Sequence, residues 1–228
     1  MASLPRHLSP LPAERGKRSR ELSTAYQRDR VLTAATEVFA KRGYRQTTVD
    51  QLVAAADSGL ATFYELFEGK EDCFLQTVER FRSAGVSYVE AAQQPDLSWA
   101  EQAVHVLRGL LEYVASDPHG TRVALVEVRT AGPAAIERYN EAIADFADKL
   151  RSGREVSPFA EQLPHRLEVA VIGGVSWFLQ QRAAAGRLED VADSLPEVVR
   201  MVVGPYLGEE EAVRALEAAG ATPAPPAA

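Results

Sequence analysis

Apolar positions recur along the chain in steps of three and four residues, and no stretch sustains an alternation of period two. The pattern predicts an all-α protein. Thr24 to Arg42 reads as a first helix with Val31, Ala35, Val38 and Phe39 on its buried stripe, closed by Gly43. Val49, Leu52, Val53 and Ala56 mark a short second helix. Thr48-Val49-Asp50-Gln51 ahead of it is a capping-box pattern, in which the Thr hydroxyl accepts from the amide three residues on and Gln51 reaches back. Asp57-Ser58-Gly59 then breaks the period, and another amphipathic stretch starts at Leu60 with Phe63 and Phe67 four apart. Two short helices around a tight turn form the helix-turn-helix arrangement, whose second helix enters a DNA major groove.

Longer periods follow. Lys70 to about Ala92 predicts one long helix with Phe74, Val78, Phe81, Gly85 and Tyr88 inward, stopped by Gln94-Pro95-Asp96. Helices are expected from Ser98 to Ser116, from Asp117-Pro118 to Gly132, and from Pro133 to Gly153. A loop over 154–163 precedes an apolar helix from Pro164 to Ala185, then helices over Val191–Leu207 and Glu209–Ala219. Residues 1–23, rich in Pro, Ser and charge, and the Ala-Pro tail 220–228 read as disordered. The division is therefore a basic arm (1–23), a small head (24–69), a helical body (70–219) and a tail.

Charge sharpens this division. The chain of 228 residues carries a net −7, but residues 1–46 hold ten basic against four acidic side chains, and the rest fifteen against twenty-eight. A basic end on an acidic body suits a protein that meets DNA at one end. Arg15, Lys17, Arg18 and Arg20 either lie along a phosphate backbone or simply solubilise the arm. A single cysteine, Cys73, excludes an internal disulfide and points to a reducing, cytoplasmic setting, and the start lacks the apolar region of a signal peptide. The longest apolar run, Val169 to Leu179, is too short to span a bilayer, so no membrane is expected. His7, His105, His119 and His165 lack metal-ligand spacing, and Gly174-Val175-Ser176-Trp177-Phe178 misses a nucleophile elbow. No enzyme, metal or cofactor is indicated.

Taken in order, Val31–Phe39, Gly43-Tyr44, Thr47-Thr48, Asp57-Ser58-Gly59, Thr62–Phe67 and Lys70-Glu71 resemble the N-terminal domain of the TetR family of bacterial transcriptional regulators. The resemblance covers Arg28 to Phe81. It implies a three-helix DNA-binding domain followed by a larger helical domain for effector binding and dimerisation. It further implies a homodimeric repressor that leaves a double-stranded operator when a small, mostly apolar effector binds. DNA contacts would fall to Arg28, Thr47, Thr48, Gly59, Leu60, Ala61, Thr62, Tyr64 and Lys70. The Thr hydroxyls and helix-start amides would meet phosphate, as would Tyr64 and Lys70, while Leu60, Ala61 and Thr62 would face base edges. Taken singly, the Thr pair reads as caps, and Tyr64 can read as packing. Asp57-Ser58-Gly59 departs from the family's usual Gly-Val-Ser, and Asp57 tolerates the left-handed backbone this turn needs. Glu65 puts an acid on the second helix, repelling phosphate or accepting from a cytosine amino group.

Two further sets belong to the body. Leu167, Val171, Gly174, Trp177 and Phe178, with Leu195, Val198, Val199 and Val202 on the next helix, resemble the family's two-helix-per-subunit dimer interface, or form an ordinary core. Tyr88, Trp99, His105, Leu107, Leu111, Arg129, Tyr139 and Phe146 either line an effector pocket or pack as core. A helical effector-sensing or scaffolding protein without DNA binding is the alternative, kept open by Glu65 and the unusual turn.

Overall fold

A computed structural model describes residues 12–94 and 96–221, with side chains from Ser23 onward, and every regular element among them is helical. The head consists of α1 (Pro12–Arg42), α2 (Val49–Ala55) and α3 (Leu60–Leu66). The body follows as α4 (Lys70–Ala91), α5 (Trp99–Ser116), α6 (Pro118–Leu125), α7 (Pro133–Leu150), the four-residue α8 (Gly153–Val156), α9 (Leu167–Ala184), α10 (Leu195–Leu207) and α11 (Glu209–Ala218). The expected all-α architecture with an N-terminal helix-turn-helix is the one observed.

Helix ends obey local chemistry where polar side chains can reach them. Ser98 and Glu101 form a capping box at the start of α5. Asp117 accepts from Gly120 N–H, with Pro118 in the first turn of α6. Four boundaries differ from expectation. Helical backbone begins at Pro12 rather than Thr24, because Pro suits a first turn and the Lys-, Arg-, Glu- and Leu-containing run behind it favours helix despite Gly16. The part of the expected arm over 1–11, and the tail over 222–228, lie outside the described residues. The single helix expected to Gly132 instead stops at Leu125 and resumes as a 3-10 turn, Glu127–Thr130. The expected 154–163 loop contains α8 and a 3-10 turn, and α10 starts at Leu195, where Pro196 fits its first turn.

Two apolar cores result. One joins Val31, Phe39, Leu52, Phe63 and Phe74 of the head and α4 to Val123 of α6, Val128 and Ala135. The other packs α5, α9, α10 and α11 around Val104, Leu111, Val199 and Leu216. The head is therefore not a separate bead: α6 and the turn after it are built into its core.

Candidate nucleic-acid interface and ligand cavity

The head's outer face is built by local rules. Thr48 N–H donates to Gln51 Oε1 at 3.1 Å, and Gln51 N–H to Thr48 Oγ1 at 3.4 Å, the reciprocal cap that starts α2. Asp57 takes φ +46° after α2, and Ser58 N–H closes onto Val53 O at 2.9 Å. This is a left-handed helix stop. Arg30 Nη2 donates to Asp57 O at 2.8 Å and pins the turn, a role sequence spacing did not reveal. On α3, Phe63 and Leu66, followed by Phe67, are buried, whereas Leu60, Ala61, Tyr64 and Glu65 face solvent.

The expected contact residues divide on inspection. Thr48, Leu60, Ala61 and Tyr64 lie exposed together, with Gly59 beside them and Thr62 half-buried. Thr47 does not join them: it is buried, and its hydroxyl donates to Gly43 O at 2.8 Å. A donor turned inward to close the Gly43 turn is unavailable to phosphate, which corrects the expectation for that residue. Lys70 Nζ donates to Tyr44 O at 3.1 Å and stands 4.4 Å from the Tyr44 ring centroid, leaving further ammonium hydrogens for another acceptor. Arg28 Nη1 donates to Gln76 at 2.5 Å, and its guanidinium covers the Phe67 ring. Both cations first brace the head against α4.

A buried polar joint connects head and body. Glu127, almost wholly buried, accepts Tyr44 N–H at 3.1 Å through Oε2 and faces Arg122 Nη2 at 3.4 Å through Oε1. Arg122 Nε donates to Ala40 O at the end of α1, at 2.9 Å, and Nη1 to Ala183 O near the end of α9, at 3.4 Å. Arg129, two residues on, lies over the Tyr139 ring instead. Inward rotation of Glu127 accompanies the break between α6 and the 3-10 turn. Gly43, at φ +80°, faces the same carboxylate: a Cβ there would come within 3.1 Å of Oε2.

Above this joint the body encloses a cavity of about 710 Å³. Its walls come from α4 (Val78, Phe81, Gly85), α5 (Leu107, Tyr113), α6 (Ala124, Leu125), α7 (Ile143, Phe146) and α9 (Ile172, Val175). Tyr139 Oη and Ser176 Oγ, 2.8 Å apart, put one polar pair on the wall. Of the residues expected at an effector pocket, Trp99, Leu107, Tyr139 and Phe146 line it. Tyr88, His105, Leu111 and Arg129 do not: Leu111 packs in the core, and Tyr88 is half exposed against Tyr113. Charged side chains missed by the sequence reading also line the cavity. Arg82 pairs with Glu79 at 2.7 Å and reaches Asp145 at 3.6 Å, joining α4 to α7.

The expected dimer residues also divide. Trp177 is 62 % exposed, and Leu167, Gly174 and Phe178 are half-buried; Val169, 49 % exposed, and half-buried Gly173, neither of them among the expected residues, share the face of α9 with Trp177. Val171, Leu195, Val198, Val199 and Val202 are instead buried in their own subunit's core, the alternative left open for this stripe. Among the described residues, no helix is long and apolar enough to cross a membrane, and no three acidic, His or Cys side chains gather to hold a metal ion. Cys73 is buried, and burial pushes its thiol up to about 12.

Residues 31–77 match the family described as bacterial regulatory proteins, tetR family. The HTH-type transcriptional regulator TcmR of Streptomyces glaucescens is 30% identical over 202 residues, covering 80% of this chain and 88% of TcmR. In three dimensions the chain is similar to the fatty acid degradation regulator FadR from Bacillus halodurans, with TM-score 0.69 and 19% identity, covering 78% of this chain and 95% of that one. It is also similar to the transcriptional regulator FadR from Bacillus subtilis in complex with stearoyl-CoA, with TM-score 0.67 and 21% identity, covering 77% and 97%.

Proposed function

We propose, for a chain that belongs to the TetR family of bacterial regulatory proteins, a homodimeric repressor that an apolar effector releases from its operator. DNA binding and transcriptional regulation, rather than catalysis, are the business of that family. In this reading two copies meet through the outer face of α9, around Val169, Gly173 and Trp177. The two α3 helices then enter successive major grooves about 34–36 Å apart, one turn of B-DNA. Thr48, Tyr64 and Lys70 hold phosphates, with the exposed Arg42 and Arg45 beside them, and Leu60, Ala61 and Thr62 lie near base edges.

The observation that carries the effector reading is the shared membership of α4 and α6. Both line the cavity, and both are packed into the head's core. A ligand that fits only one arrangement of these helices shifts the head between two orientations, which is what coupling between sites requires. A volume of about 710 Å³ and mostly aliphatic and aromatic walls suit an apolar molecule. The stearoyl-CoA held by the B. subtilis protein of the same fold is in keeping with that chemistry.

Selection of genomic DNA fragments by the purified protein, followed by a mobility-shift titration with and without acyl thioesters or other apolar compounds, tests the reading. Enrichment of a two-fold symmetric site, and its release by a compound that binds one per subunit, is expected. Tight binding to a site that no cavity-binding compound weakens would contradict the release step.

A further inference from the structure

The outward face of α3 carries one long side chain whose chemistry differs from that of its neighbours. Successive residues of a helix turn by about 100°. Phe63 and Leu66 set the buried direction of α3, and Ala61 stands opposite their mean. Leu60 and Tyr64 lie to one side of that line, and Glu65 and half-buried Thr62 to the other. Ala61 ends at its Cβ. Tyr64 and Glu65 are therefore the long side chains that flank the outward line, each about 50° from it, and Glu65 is the charged one of the two. Its carboxylate has no hydrogen-bond or ion-pair partner among the described residues, although Arg28, Arg30, Arg42 and Arg45 make this end of the chain basic.

An unpaired anion on a DNA-facing surface weakens attraction to phosphate for every sequence alike. It can favour a sequence only by accepting hydrogens from a base edge, and the exocyclic amino group of cytosine is the donor a carboxylate takes in the major groove. We infer that Glu65 is a base-reading residue of this protein, accepting from the N4 amino group of a cytosine in each operator half-site, and that its charge holds down binding to unrelated DNA. This deepens the assignment of α3 as the reading helix and rests on it. The two effects have opposite signs, which makes them separable.

The test is selection from a random duplex library with the full-length parent, with Glu65→Gln and with Glu65→Ala, each followed by titration on the selected site and on an unrelated duplex. In the parent, one position per half-site should be fixed as C·G. Glu65→Gln, of the same shape but with an amide able to pair with adenine N6 and N7, should lower the preference for cytosine there by roughly five- to a hundredfold and raise adenine. Both variants should bind the unrelated duplex several-fold more tightly than the parent, with a steeper loss on adding salt. Unchanged base preference in Glu65→Gln, or affinity that rises equally for all sequences, would overturn the inference while leaving α3 as the reading helix. A parent that fixes sequence but loses none of its affinity in Tyr64→Ala would instead overturn the placement of α3 itself.

Discussion

The head and the cavity make opposite uses of sequence. Between Tyr44 and Lys70, every group that shapes the outer face lies within one stretch of chain, apart from the brace supplied by Arg28 and Arg30. The cavity is assembled from α4, α5, α6, α7 and α9, which are far apart in sequence, and its function depends on how they meet. Segment 122–128 serves both: Val123, Glu127 and Val128 point into the head, while Ala124 and Leu125 line the cavity. A local surface can change its specificity one side chain at a time, whereas an assembled cavity transmits any change in its walls to the helices that build it.

Removing the head's core should separate the two regions most strongly. Phe63 is fully buried, so Phe63→Ala should destabilise the head by about 3–5 kcal/mol. DNA binding should vanish, while apolar ligands should still bind the body, as read by tryptophan fluorescence from Trp99 on the cavity wall. Trp177→Glu on the exposed face of α9 should come next: a monomer by sedimentation, a nearly unchanged Tm, and operator affinity down by two or more orders of magnitude as the paired half-sites are lost.

Glu127 tests the joint rather than either end. Glu127→Gln keeps an acceptor for Tyr44 N–H but removes the charge facing Arg122, and about 1.5–3 kcal/mol of stability should go with it. Operator and ligand should each still bind, and the ratio of operator affinities with and without ligand should approach one. Within the cavity, Tyr139→Phe removes the hydroxyl partner of the buried Ser176 at a cost of about 1 kcal/mol, a shift of a few degrees in Tm, with DNA binding intact.

Acid should have the smallest effect near neutrality, and its sign is fixed. The Arg154 guanidinium hydrogen-bonded to Glu168 holds that carboxyl below its ordinary value of 4.5. A depressed folded-state pKa stabilises the fold fully above the ordinary value and is lost as pH falls through the lowered one. Thermal melts of the parent should therefore fall more steeply below pH 4.5 than those of Glu168→Gln.

How much of this was legible in the sequence follows the same division. The cap at Thr48, the left-handed Asp57 and the buried Phe63 and Phe67 are consequences of neighbours in the chain, and local chemistry suffices to place them. Thr47 is the instructive exception, since nothing local says that its hydroxyl turns back to Gly43 O. Glu127 was invisible as a joint because its partners, Tyr44 and Arg122, meet it only once α1 and α6 pack together. Half of the expected pocket residues line the cavity. A period of 3.6 residues marks a buried face without saying whether it faces a void, a core or a second subunit. For that reason Leu111 and Val199 read like Phe146 and Trp177.

The most direct measurement is a hydroxyl-radical footprint of the full-length protein on its selected DNA, for the parent and for Tyr64→Ala. Two protected patches on one face of the duplex, centred 10–10.5 base pairs apart or at a multiple of that spacing, are expected for the parent. Both should fade together in the variant, because each subunit contributes the same α3. A single patch, or a paired footprint that survives the loss of Tyr64, would contradict a dimer that reads its operator through that helix.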